Sequence, residues 1–478
     1  MTVAGGLEGA DPTDLAGLRG ALALADPEGK LAPIGMSSIE IGADALSLLP
    51  EVVANLARGP RVVLAMDATP MRRNDGDPKD EAERLLAGRF EVRRAVVGEG
   101  RAQLHADEEA LAEAEAAVRD ADCVVAVGSG TVTDVCKEAT ARPSAPPLVV
   151  VQTAASVNAF SDDVSVLLKS GTKRTVPSRW PDALLVDLPT LASAPTDMNL
   201  AGFGDLISMW TAPADWYLAS VVGMDDSYHP APVAMLYEQG RELLDAAAAL
   251  RRGEPEALDR LAHVLTLSGI TLGIAGKTAP LSGTEHLVSH LIDMAAEQAG
   301  NPVAFHGAQV AVATVPVAAA WEITLSELDP STMNLDRLFP DESTMEPVVR
   351  AAFAGIDPSG RVGEECWSDY AKKLALWGRS REHVERFLGE WPEHRARICE
   401  MVLPPERLGN ALSQAGAPTR FGELDPPASP EVARWALTNC HLMRDRFTLA
   451  DLLFFAGWWD EAFVDRLLAR ACSAGGGL

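Results

Sequence analysis

The sequence predicts an α/β N-terminal domain built on a parallel sheet, followed by an all-α C-terminal domain. Three observations predict it. Short runs between residues 60 and 200 are continuously apolar and β-branched, as strands buried on both faces must be. Helical patterns alternate with those runs, which is the signature of strand–helix–strand crossovers. From about residue 200 the texture changes to long Ala/Leu/Glu/Arg stretches at helical spacing.

The elements follow in order. Residues 1–30, rich in Gly, Asp and Ala, read as a flexible leader. "RVVLAMD" (61–67) and "RFEVRRAVVG" (89–98) read as strands, and "ADEEALAEAEAAVRDA" (106–121) as a helix. "DCVVAVGSG" (122–130) is an apolar strand that runs into glycines. The helix "TVTDVCKEATA" (131–141) and the strand "PPLVVVQTA" (146–154) come next. Residues 231–252 and 254–276 read as long helices, and residues 330–478 as helices parted by Pro-containing loops. These readings place a dinucleotide-binding α/β domain at 31–198 and a helical metal and substrate domain at 199–478.

Composition narrows the function. The 478 residues are 47% hydrophobic and 23% charged, as in ordinary globular chains. Forty-one basic against 68 acidic residues leave a net charge of −27. Such a surface repels nucleic acid and anionic lipid, so neither is an expected partner. The first residues lack the basic and apolar regions of a signal peptide. The longest apolar run, "VAVATVPVAAAW" (310–321), is too short to span a bilayer, carries Pro316 and reads as a buried helix. Six scattered cysteines with no Cys-x-x-Cys spacing fit a reducing, cytoplasmic setting.

Two groups of residues carry chemistry. In "VVAVGSGTVTDVCKE" the glycines Gly128 and Gly130 follow a strand and open a helix. They permit a tight turn and close backbone approach, and the free N–H groups of the next helix face whatever binds there. That arrangement suits a pyrophosphate; it is also how an ordinary strand–helix turn is made. Asp67 ends a strand, where an acid binds ribose hydroxyls or simply caps a helix.

The second group is richer. "SGTEHLVSH" (282–290) puts His286 and His290 on one helix face, and His306 follows sixteen residues later. Asp205 sits in "NLAGFGDLISMW" after a Gly-rich turn. One carboxylate and two imidazoles suit Zn²⁺, Fe²⁺ or Ni²⁺ with a position open for substrate. A Lewis-acid metal near a dinucleotide points to hydride transfer between an alcohol or ketone and a nicotinamide. A histidine that is not a ligand relays the alcohol proton. Paired surface histidines and a helix-dipole aspartate are the plainer alternative.

Together, "GSGTVTD", "TAAS", "AGFGDLIS", "GTEHLVSH" and "FHGAQV" resemble the glycerol-1-phosphate dehydrogenases, within the iron-containing alcohol dehydrogenase and dehydroquinate synthase-like superfamily. Order and spacing hold from about residue 30 to 325. "EECWSDYAKK" and "RDRFTLADLLFFAGWWDEAF" look like the helices of that family's longer bacterial branch. The resemblance implies a Rossmann-like first domain, a helical second domain and an active site in the cleft between them. It implies metal ligands at Asp205, His286 and His306. It places Gly128, Ser129 and Gly130 on the pyrophosphate, and Thr131, Thr153 and Ser156 near the cofactor. Asp67 becomes the ribose acid, favouring NAD(H) over NADP(H). Asp134 points toward substrate and metal, and His290 lines the substrate pocket.

The activity implied is metal-dependent reduction of dihydroxyacetone phosphate to sn-glycerol 1-phosphate, or of a similar phosphorylated or polyhydroxylated ketone, by a homo-oligomer. Two departures bear on the substrate. Val157, Asn158 and Ala159 stand where the family has an Asp-Gly step, and Met209 stands where it has a lysine. Lys173, Arg174 and Arg179 offer cationic contacts to a phosphate or form a solvated loop. A dehydroquinate synthase-like lyase or cyclase using NAD transiently is the alternative, but its basic clusters are missing. A non-catalytic descendant is expected to have lost a ligand or the glycine turn, and both are present.

Overall fold

The computed structural model describes residues 6–101, 104–169 and 172–478. Six parallel strands form one sheet: β1 (Ser38–Gly42), β2 (Arg61–Met66), β3 (Glu91–Val96), β4 (Cys123–Gly128), β5 (Leu148–Gln152) and, after an intervening hairpin, β8 (Ala183–Asp187). The order is β1-β8-β5-β4-β2-β3. The hairpin is β6 (Val164–Lys169) paired antiparallel with β7 (Thr172–Pro177). Every residue of β4, β5 and β8 is buried, which is why β4 and β5 read as unbroken apolar runs; β8 is as apolar, but no strand was expected there. Val125, Val127, Val149, Val151 and Leu185 meet in one cluster with Leu64 and Met66. Full burial of a side chain of this size contributes about 1.5–3 kcal/mol.

Strand order reverses between β2 and β4: β2 connects to β3 on one side, and β4 connects to β5 on the other. Ligands of open parallel sheets bind outside the carboxyl ends at such a switch point. Asp67 follows β2 and Gly128 ends β4, so both lie at that position.

Contacts divide the chain into two compact units. One holds the residues up to Phe203 with Pro230–Lys277; the other holds Gly204–His229 with Thr278–Leu478. The boundary differs from the expected 199–478 helical domain, because residues 230–277 belong with the sheet. Helix Pro255–Ala275 is small-faced where it meets that unit. A Cβ on Gly269 would lie 2.2 Å from Ser161 Oγ, and one on Gly273 would lie 2.2 Å from the Trp180 ring. Ser161 Oγ donates to the Thr266 carbonyl at 2.8 Å, and Ala32 N–H to the Ile274 carbonyl at 2.8 Å.

The expected flexible leader also differs. Within residues 6–30 a helix, Leu15–Ala25, buries Leu15, Leu18 and Leu22, and Asp14 caps its Gly17 N–H at 2.9 Å. Its apolar i, i+3, i+7 spacing is hidden in the sequence by the surrounding Gly and Ala. Arg19 ties it to the Ile34 and Met36 carbonyls.

Helices Pro255–Ala275 and His306–Glu327 are long and apolar enough to cross a membrane, yet 83% of each apolar window is buried inside the protein. They are core helices, including the Pro316-bearing one. In the core of the second unit, Trp377 stacks on Phe339, Phe447 and Phe455.

Candidate metal centre and cofactor turn

The second unit brings four of the singled-out residues together. Asp205 lies near the end of helix Thr196–Leu206, directly after Gly204; the glycines expected to form a turn before it are themselves helical, because they let this helix pack closely. A Cβ on Gly204 would sit 2.4 Å from the Gly307 carbonyl oxygen, so only glycine lets the two backbones approach this closely. That approach sets Asp205 beside His306, the first residue of helix His306–Glu327. Asp205 Oδ1 is 3.9 Å from His306 Nε2 and 3.4 Å from His286 Nε2. The three potential ligand atoms lie within 4.8 Å of one another. Asp205 Oδ1 is buried and accepts no hydrogen bond. A bare buried carboxylate oxygen facing two imidazole nitrogens fits a divalent metal.

Helix Thr284–Gln298 carries His286 and His290, whose ring centroids are 6.5 Å apart. His290 stacks on His306 with centroids 5.5 Å apart. Glu285, which sequence spacing turns away from the histidine face, is instead wholly buried against it. Its Oε1 lies 3.0 Å from His286 Nδ1 and accepts the Gly283 N–H at 2.7 Å. Its Oε2 accepts the Thr211 hydroxyl at 2.9 Å. His306 Nδ1 lies 3.2 Å from Ser289 Oγ, which donates to Gln309 Oε1 at 2.8 Å. Gln309 Nε2 donates to Asp293 Oδ1 at 2.8 Å. None of these four neighbours was singled out in the sequence. For three of them the signal was helical spacing: Ser289 is three and Asp293 seven residues after His286, and Gln309 three after His306, whereas Glu285 carried no such signal.

Asp215 holds the start of the same helix. Its Oδ2 accepts the Thr284 N–H at 2.8 Å and hydroxyl at 2.9 Å, and its Oδ1 accepts the Leu449 N–H at 2.8 Å. Arg446 donates to the Ser282 carbonyl and, at 2.5 Å, to the Ser282 and Thr278 hydroxyls.

Electrostatics divide the cluster. Burial works against the charged form of Asp205, but His286 and His306 more than offset it and hold its carboxyl below the usual range. Burial likewise lowers His286, while Asp205 and Glu285 push it up to about 9. His290 has no such acid among the described residues. Burial first, then the electrostatic influence of His306 and Arg444, takes it well below the ordinary imidazole value.

The first unit holds the remaining candidates. Gly128 ends β4, Ser129 is the N-cap of helix Gly130–Ala139, and Thr131 lies in that helix's first turn. The Thr153 N–H donates to the Gly128 carbonyl at 3.2 Å, which joins the ends of β4 and β5. Ser156 is buried in the loop that follows. Asp67 Oδ1 accepts from Lys79 Nζ at 2.9 Å, and its Oδ2 from Thr69 Oγ1 at 2.5 Å. Asp134 is buried in helix Gly130–Ala139 with an Oδ1 that takes no hydrogen bond, and burial pushes its carboxyl up to about 8. Lys137, which acts on it electrostatically, is held by Asp162 and the Ala159 carbonyl.

The departures lie in ordered, packed backbone. Asn158 and Ala159 carbonyls accept from Ser161 and Lys137, and Met209 is buried. Of the basic loop, Ser170, Gly171 and the Lys173 side chain lie outside the described residues. Arg179 is engaged by the Thr140 and Pro146 carbonyls and by Asp182.

Known proteins resemble this chain in sequence. The family model described as "Iron-containing alcohol dehydrogenase" matches residues 40–195. The chain is 29% identical over 369 residues to a glycerol-1-phosphate dehydrogenase [NAD(P)+] of Bacillus velezensis, covering 77% of this chain and 79% of that one. It is 32% identical over 241 residues to the one of Pyrococcus furiosus, covering 50% and 66%. The chain belongs to the glycerol-1-phosphate dehydrogenase family of the iron-containing alcohol dehydrogenases. Membership in that family makes it an alcohol dehydrogenase-type enzyme. Solved structures show the same fold. A 1,3-propanediol oxidoreductase superposes with a TM-score of 0.55 at 16% identity, over 92% of this chain and 98% of that one. A probable glycerol dehydrogenase from Sinorhizobium meliloti gives 0.54 at 16% identity, over 91% and 96%.

Proposed function

We propose that this enzyme is a divalent-metal-dependent, NAD(P)H-linked reductase of dihydroxyacetone phosphate, forming sn-glycerol 1-phosphate, or of a similar phosphorylated or polyhydroxylated ketone. The observation that carries the reading is the bare Asp205 Oδ1 facing the Nε2 atoms of His286 and His306. The names of the relatives support the substrate and the cofactor. Asp205, His286 and His306 would hold a Zn, Ni or Fe ion. Such an ion, when bound, supplies Lewis-acid polarisation of the substrate oxygen, and the reduced nicotinamide supplies hydride.

The chain's own groups do the rest. Gly128, Ser129 and Gly130 would offer the pyrophosphate backbone N–H groups at a helix start. Thr131, Thr153 and Ser156 would offer the cofactor hydroxyls, and Asp67 would accept from its ribose. His290, neutral at physiological pH, would exchange the proton of the substrate hydroxyl. Asp134, kept protonated by burial, would donate a hydrogen bond toward the substrate. We place this enzyme in the cytoplasm, as a homo-oligomer acting on a small molecule.

NADH fluorescence with dihydroxyacetone phosphate, with and without a chelator, tests the reading. Steady oxidation that stops on chelation is expected. Substrate turnover with no net NADH change would replace it with synthase-like chemistry, and failure to bind NADH or metal would end it.

A further inference from the structure

Each histidine of the candidate metal centre has its second ring nitrogen against a different partner, and the polarity of both contacts can be derived. A carboxylate only accepts hydrogen bonds. Glu285 already accepts from the Gly283 N–H and the Thr211 hydroxyl, so His286 Nδ1, 3.0 Å from Oε1, must donate. At His306 the direction is set from further away. Asp293 accepts from Gln309 Nε2, which turns Gln309 Oε1 toward Ser289. The Ser289 hydroxyl gives its one proton to that oxygen. Its own oxygen is therefore the acceptor for His306 Nδ1 at 3.2 Å. Ser289, Asp293 and Gln309 are each at most 4% exposed, so water does not compete for the bonds among these three.

We infer that Glu285, and the relay Ser289–Gln309–Asp293, are positioning residues that fix His286 and His306 with Nδ1 protonated and Nε2 turned to the metal. The inference rests on the metal reading above. It adds an asymmetry: His286 is backed by a full negative charge, whereas His306 is backed through two neutral groups. Outer partners of this kind are worth about 10–100-fold in metal affinity. Glu285 is expected at the upper end of that range and the relay near the lower.

Zn²⁺ affinity is read by competition with a chromophoric chelator, alongside far-UV circular dichroism and Tm. Glu285→Gln, which keeps shape and loses charge, is expected to weaken Zn²⁺ by about 10–100-fold. Gln309→Leu is expected to weaken it by about tenfold. Asp293→Asn retains an acceptor for Gln309 and should bind more tightly than Asp293→Leu. Wild-type affinity in all of these variants would overturn the inference, as would losses that merely follow Tm. Should the variants not fold, ¹⁵N NMR of the Zn²⁺-loaded wild-type protein decides. Protonated Nδ1 on both histidines is expected, and a metal-bound Nδ1 on either would overturn the inference. Failure of the wild type to bind Zn²⁺ would instead bring down the metal reading itself.

Discussion

Asp205 and Asp67 look alike in the sequence: Asp205 reads as an acid at a helix start and Asp67 as one at a strand end, each with an ordinary structural use. In the folded protein they differ. Asp67 has both oxygens engaged, one by Lys79 Nζ and one by the Thr69 hydroxyl. Asp205 has a buried Oδ1 that accepts nothing and faces two imidazoles. An unsatisfied buried acceptor costs about 1–3 kcal/mol, so it persists only where something compensates. At Asp205 the two imidazoles offset that cost, an arrangement that a divalent metal would also satisfy, whereas both Asp67 oxygens are already engaged.

The sharpest way to break the contrast is to remove the ligand set. Asp205→Ala and His286→Ala are each expected to abolish bound metal. Loss of Lewis-acid stabilisation is worth several kcal/mol, or about a thousandfold in rate. Metal analysis and NADH turnover check this, and a variant retaining both would remove that residue from the centre.

Asp134 asks whether every bare oxygen means the same thing. Its carboxyl sits at about 8 in the fold against an ordinary 3.8. Between those values the folded chain holds a proton that the unfolded chain has released. Stability therefore falls as pH rises from about 4 to 8. Asp134→Asn cannot ionise and escapes that loss. The variant should gain on the wild type by a few kcal/mol across this window in urea unfolding. A gap that does not change with pH would show that Asp134 is charged in the fold and paired.

The same contrast explains what the sequence revealed. The strands β4 and β5 and the glycine turn were legible because a fully buried parallel strand must be continuously apolar. Strand β1 was not, since only Ile39 is buried and its pattern is half polar. The candidate metal triad was legible as a cluster of rare residues. Glu285 was not, because its role depends on a carboxylate reaching a neighbouring ring, which helical spacing does not encode. The division at residues 230–277 was also hidden, since a buried helix gives the same apolar pattern whichever unit it packs on.

Gly204 tests how Asp205 is placed. Gly204→Ala puts a methyl 2.4 Å from the Gly307 carbonyl oxygen, so the backbones have to part. Overpacking of this kind costs about 1–3 kcal/mol. A lower Tm together with weaker metal binding is expected. Lower Tm with unchanged metal affinity would mean that the approach of Gly204 to Gly307 does not position Asp205.

The smallest expected effect separates brace from ligand at Asp67. Lys79 Nζ is held by this carboxylate at 2.9 Å and by the Asp67 and Thr69 carbonyls at 2.8 and 2.6 Å. Asp67→Ala leaves the ammonium with its carbonyls and no counter-charge. A ribose with free hydroxyls loses an acceptor, whereas a 2′-phosphate loses a repelling neighbour and gains an uncompensated cation. The variant should thus weaken NADH more than NADPH, by about tenfold in the ratio, or about 1.4 kcal/mol. Fluorescence titration with both cofactors measures this. An unchanged ratio with a lowered Tm would leave Asp67 as the partner of Lys79 alone, and the choice of cofactor would then lie with other residues around the glycine turn.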